Sequence, residues 1–389
     1  MTERLYDSDS YLSEFTCKVV NLYSDDKYFY IETDRTAFFP EGGGQTSDIG
    51  TLGDCYVENV QIEEGKIIHF VEKSDENVES LEIGMEICGK IDMKKRFSDM
   101  QQHTGEHIFS GIVNSLYGYN NVGFHLGSEV VTLDFDGTLT EEDMCKVENL
   151  VNKAVWDNLP INVMFPDDEQ LSQIKYRSKI EIKEQVRIVE IPGVDVCACC
   201  APHVKSTGEI GIIEVVNFEK YKKGTRVSIL CGERALKDIR AKLNENRKIS
   251  ALTCAKQKET ARAVERLKQE NENLIYEITG LNREILSSMA DTIDPQDKII
   301  TFDKRLDCKL LSDFTISLMG KAGKFASSFC GENESYRYCI ASNNVDLRPL
   351  SKAINEAFSG RGGGKPEIVQ GSLCGTQTEI EKFLNEYEI

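Results

Sequence analysis

The stretch Gln101-Gln102-His103-Thr104-Gly105-Glu106-His107 decides how the rest of the chain is interpreted. His103 and His107 are four residues apart in a segment that reads as a helix, so both imidazoles leave the same helical face. Two neutral imidazoles on one face can bind a divalent metal, most often zinc. Glu106 directly precedes the second histidine, so the protease pattern His-Glu-x-x-His is not formed and no metalloprotease is indicated.

A second cluster of ligand-type residues follows nearly a hundred residues later, as Cys197-Ala198-Cys199-Cys200-Ala201-Pro202-His203. Cys199 and His203 repeat the four-residue spacing. The chain has five histidines, and three of them lie in these two clusters. A single histidine on an apolar face is more often a core residue, but this concentration is hard to explain by packing. The two clusters together therefore predict a zinc site.

Length and composition bound the class of protein. At 389 residues the chain can form two or three domains with their own cores. Its hydrophobic content is 40%, no apolar run is long enough to span a bilayer, and the first residues lack the order of a signal peptide. We therefore expect a cytoplasmic protein without a membrane partner. The 13 cysteines then indicate small buried side chains rather than a disulfide framework.

The net charge of −19 argues against a chain that coats nucleic acid non-specifically. Local basic elements remain possible. The range 236–285 holds 11 Lys and Arg against 8 Asp and Glu. Four further cations fall close together at Lys220, Lys222, Lys223 and Arg226. An acidic body with such elements can still hold an RNA by a restricted surface.

Periodicity predicts an α+β multidomain fold. Short segments rich in β-branched and aromatic residues predict a small N-terminal β-barrel or curled sheet, with strands at Phe15–Leu22, Tyr28–Thr33, Cys55–Ile62 and Ile67–Val71. Further patterns predict helices at Met93–Leu116 and Thr140–Asn158 and strands at Val186–Ile191 and Gly208–Val216. The expected domains are 1–92 for the β-barrel, 93–235 for an α+β domain with the zinc site, 236–288 for a helical linker and 289–389 for a C-terminal α/β domain.

The linker, read as one long helix over Leu236–Ile285, carries apolar residues at alternating spacings of three and four. This coiled-coil-like seam consists of Val264, Leu267, Asn271, Leu274, Ile278, Leu281 and Ile285. Such a seam either pairs with a second copy of the chain or packs back in a helical hairpin. A homodimer through this stalk is therefore one of two open predictions.

Two glycine-rich stretches can approach a ligand closely. Gly42-Gly43-Gly44-Gln45 lies inside the barrel region, with Thr36 upstream, and suits a small polar substrate; a tight surface turn is the alternative. The second is the loop Ser359 to Pro366 after a predicted helix. It is not a P-loop, because Ser359 stands where the first glycine is needed and Pro366 where Ser or Thr holds magnesium. It can still bind phosphate through backbone N–H groups, and a flexible surface loop is the alternative.

Three motifs in order then give a resemblance over nearly the whole chain. They are Arg35-Thr36-x-Phe-Phe-Pro-x-Gly-Gly-Gly-Gln45-x-x-Asp48-x-Gly50, then Gln-His103-Thr-x-x-His107, then Cys199-x-x-x-His203-Val-x-x-Thr-Gly-Glu-Ile-Gly. This order resembles the editing half of alanyl-tRNA synthetase and its free-standing relatives, the AlaX alanyl-tRNA editing proteins. The C-terminal Gly-Arg-Gly-Gly-Gly-Lys-Pro resembles the RNA-binding domain that ends alanyl-tRNA synthetase and also accompanies Asp-His-His phosphoesterases. With this domain present, the chain resembles the long form of AlaX.

The resemblance implies a zinc-dependent hydrolase that removes serine or glycine wrongly esterified to alanine tRNA, in trans and without ATP. It implies His103, His107, Cys199 and His203 as zinc ligands, and Gln45 and Thr36 as residues of the aminoacyl pocket. It implies tRNA contacts in the C-terminal domain from Gly360, Arg361, Gly362, Gly363, Gly364 and Lys365.

The chain departs from the family pattern beside the metal. The family's common Cys-Gly-Gly-Thr-His is here Cys199-Cys200-Ala201-Pro202-His203, so proline removes a hydroxyl and a backbone donor. Cys197 and Cys200 could replace Cys199 as the thiolate ligand. Two other functions share part of this pattern: a zinc hydrolase of another small ester or amide, and a non-catalytic RNA-binding protein with structural zinc.

Overall fold

The computed structural model describes residues 2–178, 185–306, 308–332 and 334–389. The chain forms two compact units, Met1–Asn246 and Arg247–Ile389. Helices and sheets are mixed in both units, which confirms the α+β class. The finer division into 1–92, 93–235, 236–288 and 289–389 stays a prediction.

The first unit begins with a curled antiparallel sheet. Its elements are β1 Glu3–Arg4, α1 Leu5–Ser8, β2 Glu14–Ser24, β3 Tyr28–Thr33, β4 Arg35–Thr36, β5 Gly50–Leu52, β6 Cys55–Val57, β7 Asn59–Glu63, β8 Lys66–Glu72 and β9 Glu86–Ile91. The strand order is β6-β5-β9-β2-β3-β8-β7, and only Glu58 separates the two edge strands along the chain. Alternating residues of β2, such as Phe15, Cys17 and Val19, face the interior. The strand expected over Cys55–Ile62 is thus divided, because its halves pair with different neighbours.

The central element of the first unit is α2, Met93–Tyr117. Asp92 accepts hydrogen bonds from the N–H groups of Lys94 and Lys95 and so caps the helix, and Gly118 ends it with φ of 70°. From Met100 to Gly111 every residue is buried, because α2 packs against a helix and three strands of the same unit that follow it in the chain. A helix buried on all sides holds its polar side chains in fixed surroundings.

The remaining elements of the first unit form two further sheets. They are β10 Asn121–Leu126, β11 Val131–Phe135, α3 Glu141–Trp156, β12 Asn162–Met164, α4 Asp168–Gln173, β13 Ile188–Ile191, β14 Asp195–Ala198, β15 Ile213–Tyr221 and β16 Gly224–Cys231. The sheet orders are β10-β11-β16-β15 and β12-β13-β14. The capping signal at Thr140 and Asp143 is confirmed as a capping box. The strand expected from Gly208 was placed too early: 207–210 is a 3-10 turn, and Gly211, with φ of 81°, separates it from β15.

The prediction of a single helix over Leu236–Ile285 was wrong. The range lies in two helices, α5 Gly232–Thr253 and α6 Thr260–Thr292. The first ends at Cys254, which takes a left-handed conformation with φ of 51° although it is not glycine. The apolar side chains of the coiled-coil-like seam are exposed on α6. The stalk homodimer stays a prediction.

The second unit packs helices against the sheet β17-β18-β19-β21-β20. Its elements after α6 are β17 Gln296–Phe302, α7 Cys308–Met319, β18 Ala322–Glu332, β19 Ser335–Ala341, α8 Arg348–Ala357, β20 Arg361–Lys365, β21 Ile368–Cys374 and α9 Gln377–Glu386. The glycine-rich stretch expected as a loop is the edge strand β20, because its backbone pairs with β21.

Among the described residues, no helix combines the length and the apolar character needed to cross a membrane.

Candidate metal centre

Four side chains expected as metal ligands converge in the first unit. His103 and His107 come from α2, and Cys199 and His203 from the loop that follows β14. Their ligand atoms all lie within 4.8 Å of one another. The Cys199 Sγ atom is 3.4 Å from Nε2 of both His103 and His203. Each imidazole is only 2% exposed, and Cys199 is half-buried.

Each imidazole is oriented by a different partner at its Nδ1 atom. His103 Nδ1 is 2.8 Å from Gln45 Oε1, and His107 Nδ1 is 3.0 Å from Asp195 Oδ2. His203 Nδ1 is 3.0 Å from Thr104 Oγ1. An acceptor at Nδ1 fixes the tautomer and leaves Nε2 as the ligand atom.

Asp195 and Arg177 form a buried support behind His107. Arg177 donates from Nε to Asp195 Oδ1 at 2.7 Å and from Nη2 to Asp195 Oδ2 at 2.8 Å. Burial opposes the charged carboxylate, but His107 and Arg177 outweigh it and lower the pKa of Asp195. The sequence interpretation missed both residues. Asp195 is near the cysteines but carries no spacing signal, and Arg177 lies 18 residues upstream of it.

The thiols near the site are in different electrostatic surroundings. Burial opposes ionisation of Cys199, but the neighbouring His103 and His203 lower its pKa well below the ordinary thiol value. Burial raises the pKa of Cys197, and it raises that of Cys200 to about 11. Cys199 is therefore the thiol best suited to act as a thiolate ligand.

The glycine-rich turn beside the cluster is held tightly. Gly42 and Gln45 pair across a two-residue turn in which Gly43 and Gly44 have φ of 60° and 82°. Such a turn requires positive φ at both central positions, and a Cβ on Gly44 would collide with the ring of Phe124. The turn fixes Gln45 so that its Oε1 faces His103. The Gln45 Nε2 atom is buried and has no hydrogen-bond partner within the described residues.

Thr36 lies in the interior of the curled sheet. Its hydroxyl accepts from the Phe38 N–H at 3.1 Å and is 2.9 Å from His69 Nε2. His69 Nδ1 donates to the Ile31 carbonyl oxygen, and burial lowers the pKa of His69 to about 4. The imidazole is therefore neutral, and Nε2 accepts the hydrogen of Thr36. This network supports the segment that leads into the glycine turn.

An ion pair connects the curled sheet to α2. Arg96 is fully buried and donates to both carboxylate oxygens of Asp48, with Nε to Oδ1 at 2.9 Å. It also donates to the carbonyl oxygens of Ser10 and Ala37. The helix that carries two ligands is thus tied to the segment that carries Gln45.

A second carboxylate lies beside the cluster. Glu106 is 1% exposed, and its Oε1 accepts from Ser110 Oγ and Asn121 Nδ2, both at 2.7 Å. Its Oε2 is 3.9 Å from His107 Nε2. The sequence interpretation used Glu106 only to exclude a metalloprotease, and so missed its proximity to the ligand atoms.

The donor set matches zinc. Three imidazole nitrogens and one thiolate are ligands that zinc accepts in a tetrahedral shell. The buried partners behind the imidazoles are those expected around such an ion. The residues therefore fit the metal that the sequence predicted.

In the second unit, the predicted tRNA-binding residues Gly360 to Lys365 are at least partly exposed, and β20 itself is exposed throughout. Successive residues of a strand face opposite sides, so Arg361, Gly363 and Lys365 share one face. A Cβ on Gly363 would meet nothing within 4 Å, whereas Cβ atoms on Gly362 and Gly364 would collide with the backbone of β21. A cavity of about 400 Å³ is lined by residues of both β20 and α8, among them Arg348, Lys352 and Asn355.

Comparisons with known proteins show which proteins this chain resembles. Residues 186–227 match the family model described as the threonyl and alanyl tRNA synthetase second additional domain. The chain is 28% identical to alanyl-tRNA editing protein AlaX-L of Pyrococcus horikoshii, over 98% of this chain and 96% of that protein. It is 31% identical to alanyl-tRNA editing protein Aarsd1-B of Xenopus laevis, over 90% of this chain and 86% of that protein.

A solved structure, the C-Ala domain of Aquifex aeolicus alanyl-tRNA synthetase, covers 23% of this chain and 87% of its own at 14% identity and a TM-score of 0.21, too weak a likeness to support an inference. The matched residues 186–227 relate the chain to proteins that carry this threonyl and alanyl tRNA synthetase domain. The chain belongs to the alanyl-tRNA editing protein family.

Proposed function

We propose that this chain is a trans-editing hydrolase that cleaves the ester between a wrong amino acid, serine or glycine, and the 3′ end of alanine tRNA. Family membership supports the reaction class. The observation that carries the proposal is the cluster of three buried, oriented imidazoles and a thiol, beside the buried Gln45 Nε2 atom that has no hydrogen-bond partner within the described residues.

The metal would be held by His103, His107, Cys199 and His203. Zinc bound there would supply Lewis-acid polarisation at the reacting ester. The chain's own residues orient the ligands through Gln45, Asp195 and Thr104.

Gln45 is the proposed contact to the aminoacyl group. Its Nε2 carries two hydrogens that no described residue accepts, and it is fixed because Oε1 accepts from His103. A serine hydroxyl or the ester carbonyl oxygen can accept these hydrogens, whereas an alanine methyl group leaves one of them buried and unpaired. This difference favours serine over alanine. Thr36 would contribute through the shape of the segment before the turn, since its hydrogen is directed at His69.

The body of the tRNA is the proposed partner of the second unit. Arg361 and Lys365 present two cations on the outer face of β20, and Gly363 between them leaves the backbone open to a phosphate. Gly360, Gly362 and Gly364 would keep β20 close to its neighbours.

The closed set of four ligands favours a second candidate, a non-catalytic RNA-binding protein with structural zinc. Deacylation distinguishes the two. Ser-tRNA and Ala-tRNA, both on alanine tRNA, would be incubated with the wild type and with His103→Ala. The proposal expects release of serine, retention of most alanine and an inactive variant. If neither ester is cleaved while tRNA is still bound, the structural-zinc candidate takes its place.

A further inference from the structure

A basic hairpin tip projects from the sheet of the first unit. β15 and β16 pair with Tyr221 opposite Gly224, so Lys222 and Lys223 form the two-residue turn. Lys222 has φ of 52°, a backbone conformation that glycine and asparagine adopt far more readily. With Lys220 one position before Tyr221, three lysines occupy this tip.

These lysines carry charge that the fold leaves unneutralised. Lys220, Lys222 and Lys223 are exposed, and none of them forms an ion pair with any residue that the structure describes. Two acids near the tip have other partners: Asp134 accepts two hydrogen bonds from Arg226, and Asp136 accepts from Asn120. Over 219–226 there are four cations and one acid, Glu219, in a chain with a net charge of −19.

The tip also has a fixed aromatic platform. The guanidinium carbon of Arg226 is 3.7 Å from the ring centroid of Tyr221, and Lys222 Nζ is 5.0 Å from the same centroid. The two hydrogen bonds from Arg226 to Asp134 hold this stack against β11. The tip therefore presents its charge from a defined position.

The register of the sheet places the tip near the metal cluster. The Phe124 ring is 4.9 Å from the His103 ring, and Phe124 is in register with Leu133, which is in register with Val227. Lys223 is four residues from Val227, which corresponds to about 13 Å along the strand, and two strand spacings add about 10 Å across the sheet. A few nucleotides of an acceptor end can span that separation.

We propose that Lys220, Lys222 and Lys223 contact the phosphate backbone of the acceptor arm whose 3′ end enters the metal cluster. The inference rests on the proposed function. The contact is electrostatic and independent of sequence, because lysines at a turn offer point charges without base readout. Through this contact the first unit, although acidic, binds the RNA directly.

The test compares two double variants of the protein, in each of which two lysines are replaced by uncharged glutamine. Lys222→Gln/Lys223→Gln removes the turn charges, and Lys18→Gln/Lys146→Gln removes two exposed lysines elsewhere in the first unit. The kcat and KM for Ser-tRNA on alanine tRNA would be measured at several salt concentrations. For the tip variant we expect a KM raised severalfold and an unchanged kcat. The slope of log(kcat/KM) against the logarithm of the salt concentration should be less steep by about 1.5.

The control variant should keep the wild-type salt slope. Equal slopes in wild type and tip variant, or equal losses in both double variants, would overturn the inference. If the wild type cleaves no ester, the proposed function fails separately, and equilibrium binding of uncharged tRNA at the same salt concentrations then decides the role of the tip by the same slope. A small serine ester, if it is a substrate, should be cleaved equally by all three proteins.

Discussion

The metal cluster and strand β20 differ in burial: the imidazoles of the cluster are buried, whereas β20 is exposed. In the cluster, each imidazole is buried and has a partner at Nδ1, so the ligand atoms are positioned before any substrate arrives. In β20, all five residues are exposed and three are glycines. Chemistry at one carbonyl requires orientation, whereas contact with a phosphate backbone requires access and charge. Changes in the cluster should therefore reduce the rate, and changes in β20 should reduce affinity.

The largest effect should come from the thiol. Cys199→Ser replaces the thiolate by a poor zinc ligand, and we expect loss of bound zinc and a fall in deacylation of roughly a hundredfold or more. Metal content and single-turnover deacylation measure the two effects. The matched control is Cys200→Ser, one residue away, which should keep zinc and most activity. The reverse pattern would assign the ligand to Cys200.

The next effect concerns the support behind His107. Asp195→Asn keeps the side-chain shape but removes the charge that holds the imidazole, and we expect zinc affinity to fall roughly 10–100-fold. Competition with a chromophoric chelator reports this affinity without reference to activity. Because Arg177 loses its buried partner, the variant should also unfold at a lower temperature. Unchanged zinc affinity would show that Asp195 stabilises the fold only.

Two substitutions of Gln45 separate its role in orienting His103 from its proposed contact with the substrate. Gln45→Met removes both the acceptor for His103 and the free donor, and we expect kcat/KM for the serine ester to fall about tenfold or more. Gln45→Glu keeps an acceptor for His103 but removes the donor. It should retain zinc while the ratio of serine to alanine release narrows. A Gln45→Glu variant with full discrimination would place the selecting group elsewhere.

A smaller effect is expected in β20. Gly363→Val adds a side chain into open space on the outer face and suits a strand, so stability should be unchanged or slightly higher. The KM for aminoacylated tRNA should nevertheless rise severalfold, with kcat preserved, because the branched side chain blocks phosphate from the backbone. Gly362→Val is the contrast: it should destabilise the second unit by collision with β21. If Gly363→Val leaves KM unchanged, this face does not meet RNA.

The smallest effect on activity at neutral pH should come from His69, whose influence is on stability in acid. Its pKa in the folded protein, about 4, lies below the ordinary value of 6.5. Between these pH values the unfolded chain binds a proton that the folded chain does not, so the unfolding free energy falls as pH drops, by up to about 3 kcal/mol. Urea unfolding at pH 7 and pH 5 should show about 2 kcal/mol of this loss in wild type and a weaker loss in His69→Gln. Identical pH dependence in both proteins would contradict the assignment.

The sequence predicted the parts of the site that are local in the chain. The spacing of His103 and His107 follows from helix geometry, and that of Cys199 and His203 lies within one loop. Thr104 was in the deciding stretch, yet its pairing with His203 crosses 99 positions and carries no pattern. Asp195 and Arg177 were missed for the same reason. The fold errors have a similar cause: Cys254 ends a helix without glycine or proline, and β20 became a strand because β21 pairs with it.

The most direct test is deacylation of Ser-tRNA and Ala-tRNA, both on alanine tRNA, by protein stripped of metal with a chelator and by the same protein restored with zinc. We expect that stripping abolishes release of serine, that zinc restores it, and that alanine is largely spared throughout. Release of serine at the full rate by protein shown to be free of metal, with its fold intact, would contradict the account.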